Sequence, residues 1–110
     1  MLLLLLRHIH KYLVLFPIIG LLFSQQASIT GVIISDNDQT PIHGANIYIK
    51  KLDVGTASRD DGSFIIDNLP NDSLSLTISM IGFKDVSKTI NLAQKNNDIG
   101  QVLMITDAVE

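Results

Sequence analysis

Asp60-Asp61-Gly62 is the part of this chain best suited to chemistry, because adjacent carboxylates can hold a divalent cation or divide acid and base roles between them. Asp36, Asp38 and Asp67 are further acidic residues that can gather with them around a calcium ion. The spacing of a calcium-binding loop with its terminal glutamate is missing, so capping of turns is the stronger reading of all five. His43 is the single histidine beyond the first two dozen residues, and no histidine or glutamate stands at metal-ligand spacing from it. No serine lies in a nucleophile-elbow context. Tyr48, Phe64 and Phe83 can make a surface on which sugar rings stack, or Phe64 can belong to the core. The residues thus imply no catalytic group, no cofactor and no metal, and make an enzyme improbable.

Such side chains need elements to place them, and the sequence pattern is that of strands. Gly55 to Ile66 reads as a hairpin: Thr56-Ala57-Ser58 ends one strand, Asp60-Asp61-Gly62 reverses the chain, and Ser63 to Asp67 returns with Phe64 and Ile66 on one face. Gly62 is expected at positive φ, which glycine adopts without steric cost. Ser28 to Ser35 is β-branched, and Gly31 within it marks a site where bulk is avoided or a bulge sits. Asp36 to Pro41 is a turn by composition.

Ala45, Ile47 and Ile49 alternate with Asn46, Tyr48 and Lys50, so the first set is expected in the core. Leu52 to Gly55 leads into the hairpin, and Asn68 to Asp72 forms the turn after it. Leu74, Leu76, Ile78 and Met80 alternate with Ser75, Thr77 and Ser79, the clearest period of two in the chain. Ile81-Gly82-Phe83-Lys84 interrupts it, and Val86, Lys88, Ile90 and Leu92 resume it. Lys88 on the apolar side suggests an edge strand. Ala93 to Asp98 reads as a polar loop and Ile99 to Ile105 as the last strand. Six or seven short strands without helical periodicity indicate a β-sandwich.

Bulk properties bound the function. With 110 residues the chain accommodates one small domain and no membrane barrel or large cleft. Much of its 46% hydrophobic content lies in Met1 to Phe23, where Arg7, His8, His10 and Lys11 precede the apolar run Tyr12 to Phe23. That order matches a helical secretory signal peptide over residues 1–24, cleaved near Ser24 or Ala27, with a retained signal anchor as the alternative. Losing it removes Arg7 and Lys11 and leaves six basic against eleven acidic residues, or 6 − 11 = −5. A mildly acidic surface without a Lys/Arg cluster argues against nucleic acid. The absence of cysteine excludes disulfides, thiolate metal sites and a lipidated N-terminal cysteine.

The ordered motifs carry a resemblance that covers nearly all of Ile29 to Ile105. They are Ile29-Thr30-Gly31-Val32-Ile33 with Asp36, then Pro41-Ile42-His43-Gly44-Ala45-Asn46-Ile47, then Gly55-Thr56-Ala57-Ser58-Arg59-Asp60-Asp61-Gly62-Ser63-Phe64, then Leu69-Pro70-Asn71 and Leu76 to Phe83. In this series the chain resembles the carboxypeptidase regulatory-like domain at the N-terminus of SusC-type TonB-dependent outer-membrane receptors. Arg59 and Asn71 depart from the usual pattern. The resemblance implies an all-β, seven-stranded, transthyretin-like (prealbumin-like) Greek-key sandwich over residues 28–106. It also implies a tail at 107–110 leading towards a TonB box and plug missing from this sequence. The role it implies is that of a non-catalytic accessory domain in nutrient uptake, present as a fragment or a stand-alone module. The implied location is exported, at the periplasmic side of the outer membrane. The implied partners are a receptor plug and barrel and a TonB-type protein, with membrane association only through the leader or the missing barrel. A freestanding adhesion or carbohydrate-binding sandwich is the alternative.

Overall fold

Alternating β-branched and polar residues can satisfy both backbone hydrogen bonding and burial only as strands with one dry face, and two such sheets must then close on each other. The computed structural model describes residues 26–107, so the leader at 1–24 and the final three residues lie outside the described residues. The described residues form seven strands and no helix: β1 Gln26–Ser35, β2 Asn46–Ile49, β3 Val54–Ala57, β4 Ser63–Pro70, β5 Ser73–Ser79, β6 Val86–Asn91 and β7 Asn96–Met104. One sheet has the order β4-β1-β7 and the other β3-β2-β5-β6, giving the expected seven-stranded sandwich. No described helix is long and apolar enough to cross a membrane.

The core lies between the sheets. Ile29 and Ile33 of β1, Phe64 and Ile66 of β4, and Val102 and Met104 of β7 meet Ile47 and Ile49 of β2 and Leu74, Leu76 and Ile78 of β5, all buried. The faces expected for β2 and β5 are those observed. Gly31 is where bulk must be absent: a Cβ there would meet Phe64 Cε1 at 2.7 Å and Ile99 Cγ1 at 2.9 Å. β6 is an edge strand as expected, and Lys88, opposite the buried Leu76, remains exposed.

Three local readings change. Gly55 to Ile66 is not a hairpin, because β3 pairs with β2 in one sheet while β4 pairs with β1 in the other. The turn itself forms, with the Arg59 N–H donating to the Ser63 carbonyl and the Gly62 N–H to the Arg59 carbonyl, each at 2.8 Å. Turn chemistry dictates that the chain reverses, not which neighbour each arm takes. Ser58 holds the first arm beside β2 through the bond from its N–H to the Ala45 carbonyl, and the Phe64 ring above Gly31 holds the second on β1. The actual hairpin lies earlier, between Ile49 and Val54, with Asp53 at φ 52°.

Asn68 to Pro70, expected in a turn, belongs to β4. Leu69 is buried opposite Ala27, and a bulge with Asn68 at φ 60° bends the strand to keep it there. β7 starts three residues earlier than expected, at Asn96. It runs parallel to β1, from Ser28↔Asn96 to Ser35↔Met104, with a register shift near Gly100 at φ 71°. The parallel arrangement follows from the path, since the chain returns from β6 across the sandwich to the free side of β1.

Gly62 and Gly44 separate backbone conformation from crowding. Both lie near φ +80°, but a Cβ at Gly62 would stand 2.4 Å from the Ile33 carbonyl oxygen while one at Gly44 meets nothing within 4 Å. Alanine at Gly44 is therefore expected to cost the left-handed conformation alone, about 1–2 kcal/mol, and alanine at Gly62 measurably more in urea denaturation. Equal losses would contradict the close approach of the corner to β1.

Candidate functional site

The densest cluster of reactive residue types is the corner where the chain passes from β3 to β4. His43, Ser58, Arg59, Asp60 and Asp61 line a shallow, open hollow there. Serine, histidine and aspartate are the types of a hydrolytic triad, and the geometry assigns them other work. The Ser58 side chain is buried; its O–H donates to the Ile42 carbonyl at 2.6 Å, and its oxygen accepts the Ala45 N–H at 2.9 Å. The Gly44 N–H also donates to the Ser58 carbonyl at 2.9 Å. Ser58 is thus a clamp between the β1–β2 loop and the corner, its hydroxyl directed at backbone and not at His43. His43 Nδ1 lies 3.2 Å from Asp60 Oδ1, with 69% and 95% of the two side chains exposed, an arrangement of little energetic consequence in water.

Of the five acidic residues considered for calcium, Asp38 and Asp61 cap turns through their side chains. Asp38 Oδ1 accepts the Thr40 hydroxyl at 2.7 Å and its N–H at 3.2 Å; Asp61 Oδ1 accepts the Ser63 hydroxyl at 2.6 Å and its N–H at 3.0 Å. These bonds, the hydroxyl first in each case, hold both carboxyls below the ordinary carboxylate value. Asp72, at the turn into β5, is lowered by the Ser73 N–H and then by Lys51. Asp36 lies in the turn after β1, and Asp67 on β4 beside the bulge. Among the described residues no three histidine or acidic side chains come together as a metal site.

The three aromatic residues do not share a surface. Phe64 is 2% exposed, in the core, and Phe83 packs partly against the core in the β5–β6 loop, bridged to Thr106. Tyr48 alone faces outwards, half-buried on β2. Gly55 of β3 is its cross-strand partner, and a Cβ on that glycine would come within 3.3 Å of Tyr48 Cδ2. The Cδ2 edge of the ring thus lies beside the bare backbone of Gly55, and its O–H donates to Asp53 Oδ1 at 2.7 Å. That bond raises the phenol above its ordinary value, keeping it a protonated donor.

Sequence reasoning missed Ser58 and the Tyr48–Gly55–Asp53 arrangement. A serine among other small polar residues carries no mark of burial. The tyrosine's partners emerge only from the β2–β3 register, which the expected hairpin concealed.

A family model described as the CarboxypepD_reg-like domain matches residues 29–110. A comparison with curated proteins returned no significant match. Among solved structures, the fold resembles a chain of the type II cohesin–X-dockerin complex from Acetivibrio cellulolyticus, in a C-terminal interface mutant, with a TM-score of 0.62 and 14% identity over 71% of this chain and 56% of that one. The N-terminal interface mutant of that complex gives 0.64 and 14% over 73% and 58%. The TIE protein of Bacillus anthracis gives 0.59 and 13% over 74% and 17%. The chain therefore spans little more than half the length of the first two, and these likenesses concern the fold alone.

Two measurements test the roles given to these polar groups. Ser58→Ala strands a buried carbonyl and a buried N–H and is expected to cost about 1–3 kcal/mol, seen as a lower denaturation midpoint; an unchanged midpoint would contradict the clamp. Because Asp38, Asp61 and Asp72 are lowered from 3.8, their contribution is fully present above that value and is lost as pH falls below it through their lowered values. The thermal midpoint should thus hold from neutrality down to about pH 5 and fall below about pH 4. A midpoint that rises on acidification would reverse the assignment.

Proposed function

The chain belongs to the CarboxypepD_reg-like domain family, and from that premise we propose that it is a non-catalytic accessory domain of an exported TonB-dependent receptor, acting at the periplasmic face of the outer membrane. The observation that carries the non-catalytic part is the Ser58 clamp. In the one corner that gathers serine, histidine and aspartate, the hydroxyl is buried and bonded to backbone at both its donor and its acceptor side. Support for the receptor setting comes from the ordered motifs between Ile29 and Phe83 and from the basic and apolar leader before them. On this reading residues 1–24 are a signal peptide, 28–106 the accessory sandwich and 107–110 the start of the connection to the plug.

An accessory domain of this kind works by contact. Each sheet of the sandwich ends in two edge strands, β4 and β7 in one and β3 and β6 in the other. A partner segment can add to such an edge through main-chain hydrogen bonds, with alternate side chains giving selectivity. Of these edges β6 carries Lys88 and β4 carries the Asn68 bulge, features that oppose indiscriminate pairing. Selective pairing suits a domain that modulates how an energising protein reaches its receptor.

Reading the genomic frame beyond codon 110 and fractionating cells with an antibody to the domain test this together. The expected outcome is a plug-and-barrel sequence downstream and a membrane-bound product of receptor size. A product that stays in the cytoplasm, or a downstream frame lacking a barrel, would overturn the proposal.

A further inference from the structure

Exposed apolar side chains are unevenly placed on this domain. Among the described residues five large ones face solvent: Val54, Ile65, Ile81, Leu103 and Ile105. Leu103 and Ile105 belong to the segment by which the chain leaves the sandwich, and Ile81, 95% exposed, sits in the turn to which that segment is fastened. Ile65 is joined to them by register. Val32 of β1 stands opposite Ser63 of β4 and Gln101 of β7, so Ile65 and Leu103 are its diagonal neighbours. All three point outwards, because the residues that alternate with them, Phe64 and Ile66, Ile33, and Val102 and Met104, are buried. An apolar row thus crosses the outside of the three-stranded sheet and ends at the exit.

The exit itself is held by backbone. The Lys84 N–H donates to the Ile105 carbonyl and the Asp107 N–H to the Gly82 carbonyl, each at 2.8 Å, around the bridge between Phe83 and Thr106. The turn that receives these bonds is closed by the Phe83 N–H on the Met80 carbonyl at 3.0 Å, with Gly82 at φ 88°. Nothing in the core requires Ile81 to be apolar, since its side chain is almost wholly in water. The chain therefore leaves at a fixed point, flanked by Ile81 and Ile105.

We propose that the apolar row and the Ile81 turn are the seat of the domain that follows in the chain. This rests on the receptor reading, under which that domain is the plug. A body tethered beyond Asp107 meets the row at an effective concentration of about millimolar, so a modest patch is enough to hold it. A second copy of the chain is the poorer occupant. From Ser28 to Ser35 the three strands offer roughly 25 Å by 14 Å, about 350 Å2 in plan, at ordinary strand spacing, whereas a stable pair of separate proteins needs about 800 Å2 from each. The chain is also acidic, with 11 acidic against 8 basic residues, so two copies repel. Asp67 and Asp98 point outwards at the end of the face away from Leu103, and call for an apolar patch rimmed with lysine or arginine on the occupant. The accessory domain then moves with the plug as one body, where a slack linker would let it swing free.

The chain has no cysteine, so one introduced into the domain reports alone. Ile81→Cys, Leu103→Cys and, as a control at an exposed position of the other sheet, Ser75→Cys are labelled with a maleimide in the 110-residue chain and in the full receptor encoded by the extended frame, and the labelled peptide is measured by mass spectrometry. In the receptor Ile81→Cys and Leu103→Cys should react about tenfold more slowly than in the short chain, as for a surface covered about nine-tenths of the time, while Ser75→Cys is unchanged. Adding Ile65→Glu should restore the fast rate at both. Circular dichroism confirms that each variant is folded, and Ile81→Cys, in an exposed turn, keeps the test open where Leu103→Cys unfolds. Equal rates in the short chain and the receptor would overturn the docking and leave the receptor reading standing; a downstream frame without a plug would overturn both. Slowing already present in the short chain and growing with its concentration would reassign the row to self-association.

Discussion

The contact between the Phe64 ring and the bare backbone at Gly31 is the constraint on which this sandwich depends. A ring can sit against a central strand at that distance only if the strand offers no side chain, and a Cβ at Gly31 would overlap both Phe64 and Ile99. The notch therefore receives one residue from β4 and one from β7, the two strands that flank β1. It fixes β4 in register on β1, and through β4 it draws the β3–β4 corner to the position where the Gly62 carbonyl accepts the Ile33 N–H at 2.8 Å. The left-handed turn at Gly62 and the Asp61 cap are consequences of that demand, since the chain must change sheets within five residues and arrive with Phe64 pointing inwards.

Much of this was legible in the residues because it rests on local periodicity. The inward faces of β2 and β5, the exposed edge at Lys88, the positive φ of Gly62 and the intolerance of bulk at Gly31 all follow from alternation or from what glycine alone permits. What escaped was pairing. Asp60-Asp61-Gly62 has every local mark of a hairpin turn, and the chain does turn there, but a sandwich can use the same turn to leave one sheet for the other. The choice is made by Ser58 and Phe64 through contacts more than ten residues away in sequence, which no short window contains. The parallel course of β7 was hidden for the same reason.

The reactive-looking groups illustrate how a cysteine-free domain with a small core uses polar side chains. Asp38, Asp61 and Asp72 satisfy exposed backbone N–H groups that the turns would otherwise leave to water, and Ser58 does so inside the protein, where an unpaired group is costly. Among the described residues every buried side-chain nitrogen and oxygen has a partner. With Ser58, Asp38, Asp61 and Asp72 bound into turns and a clamp, the polar groups of the corner and the turns serve the fold itself.

The pairing of β1 with β7 has a kinetic meaning as well. It joins the first described strand to the last, with Ser28 and Asn96 in direct hydrogen-bond contact 68 residues apart. Until β7 is made, the sheet β4-β1-β7 lacks a member and the core lacks Val102 and Met104. A chain emerging from a ribosome can pair β1 with β4 before β7 exists, but it cannot complete that sheet by local steps. Closure waits for nearly the entire domain to appear, and so distant a contact belongs to the class of β topologies that fold in about milliseconds to seconds.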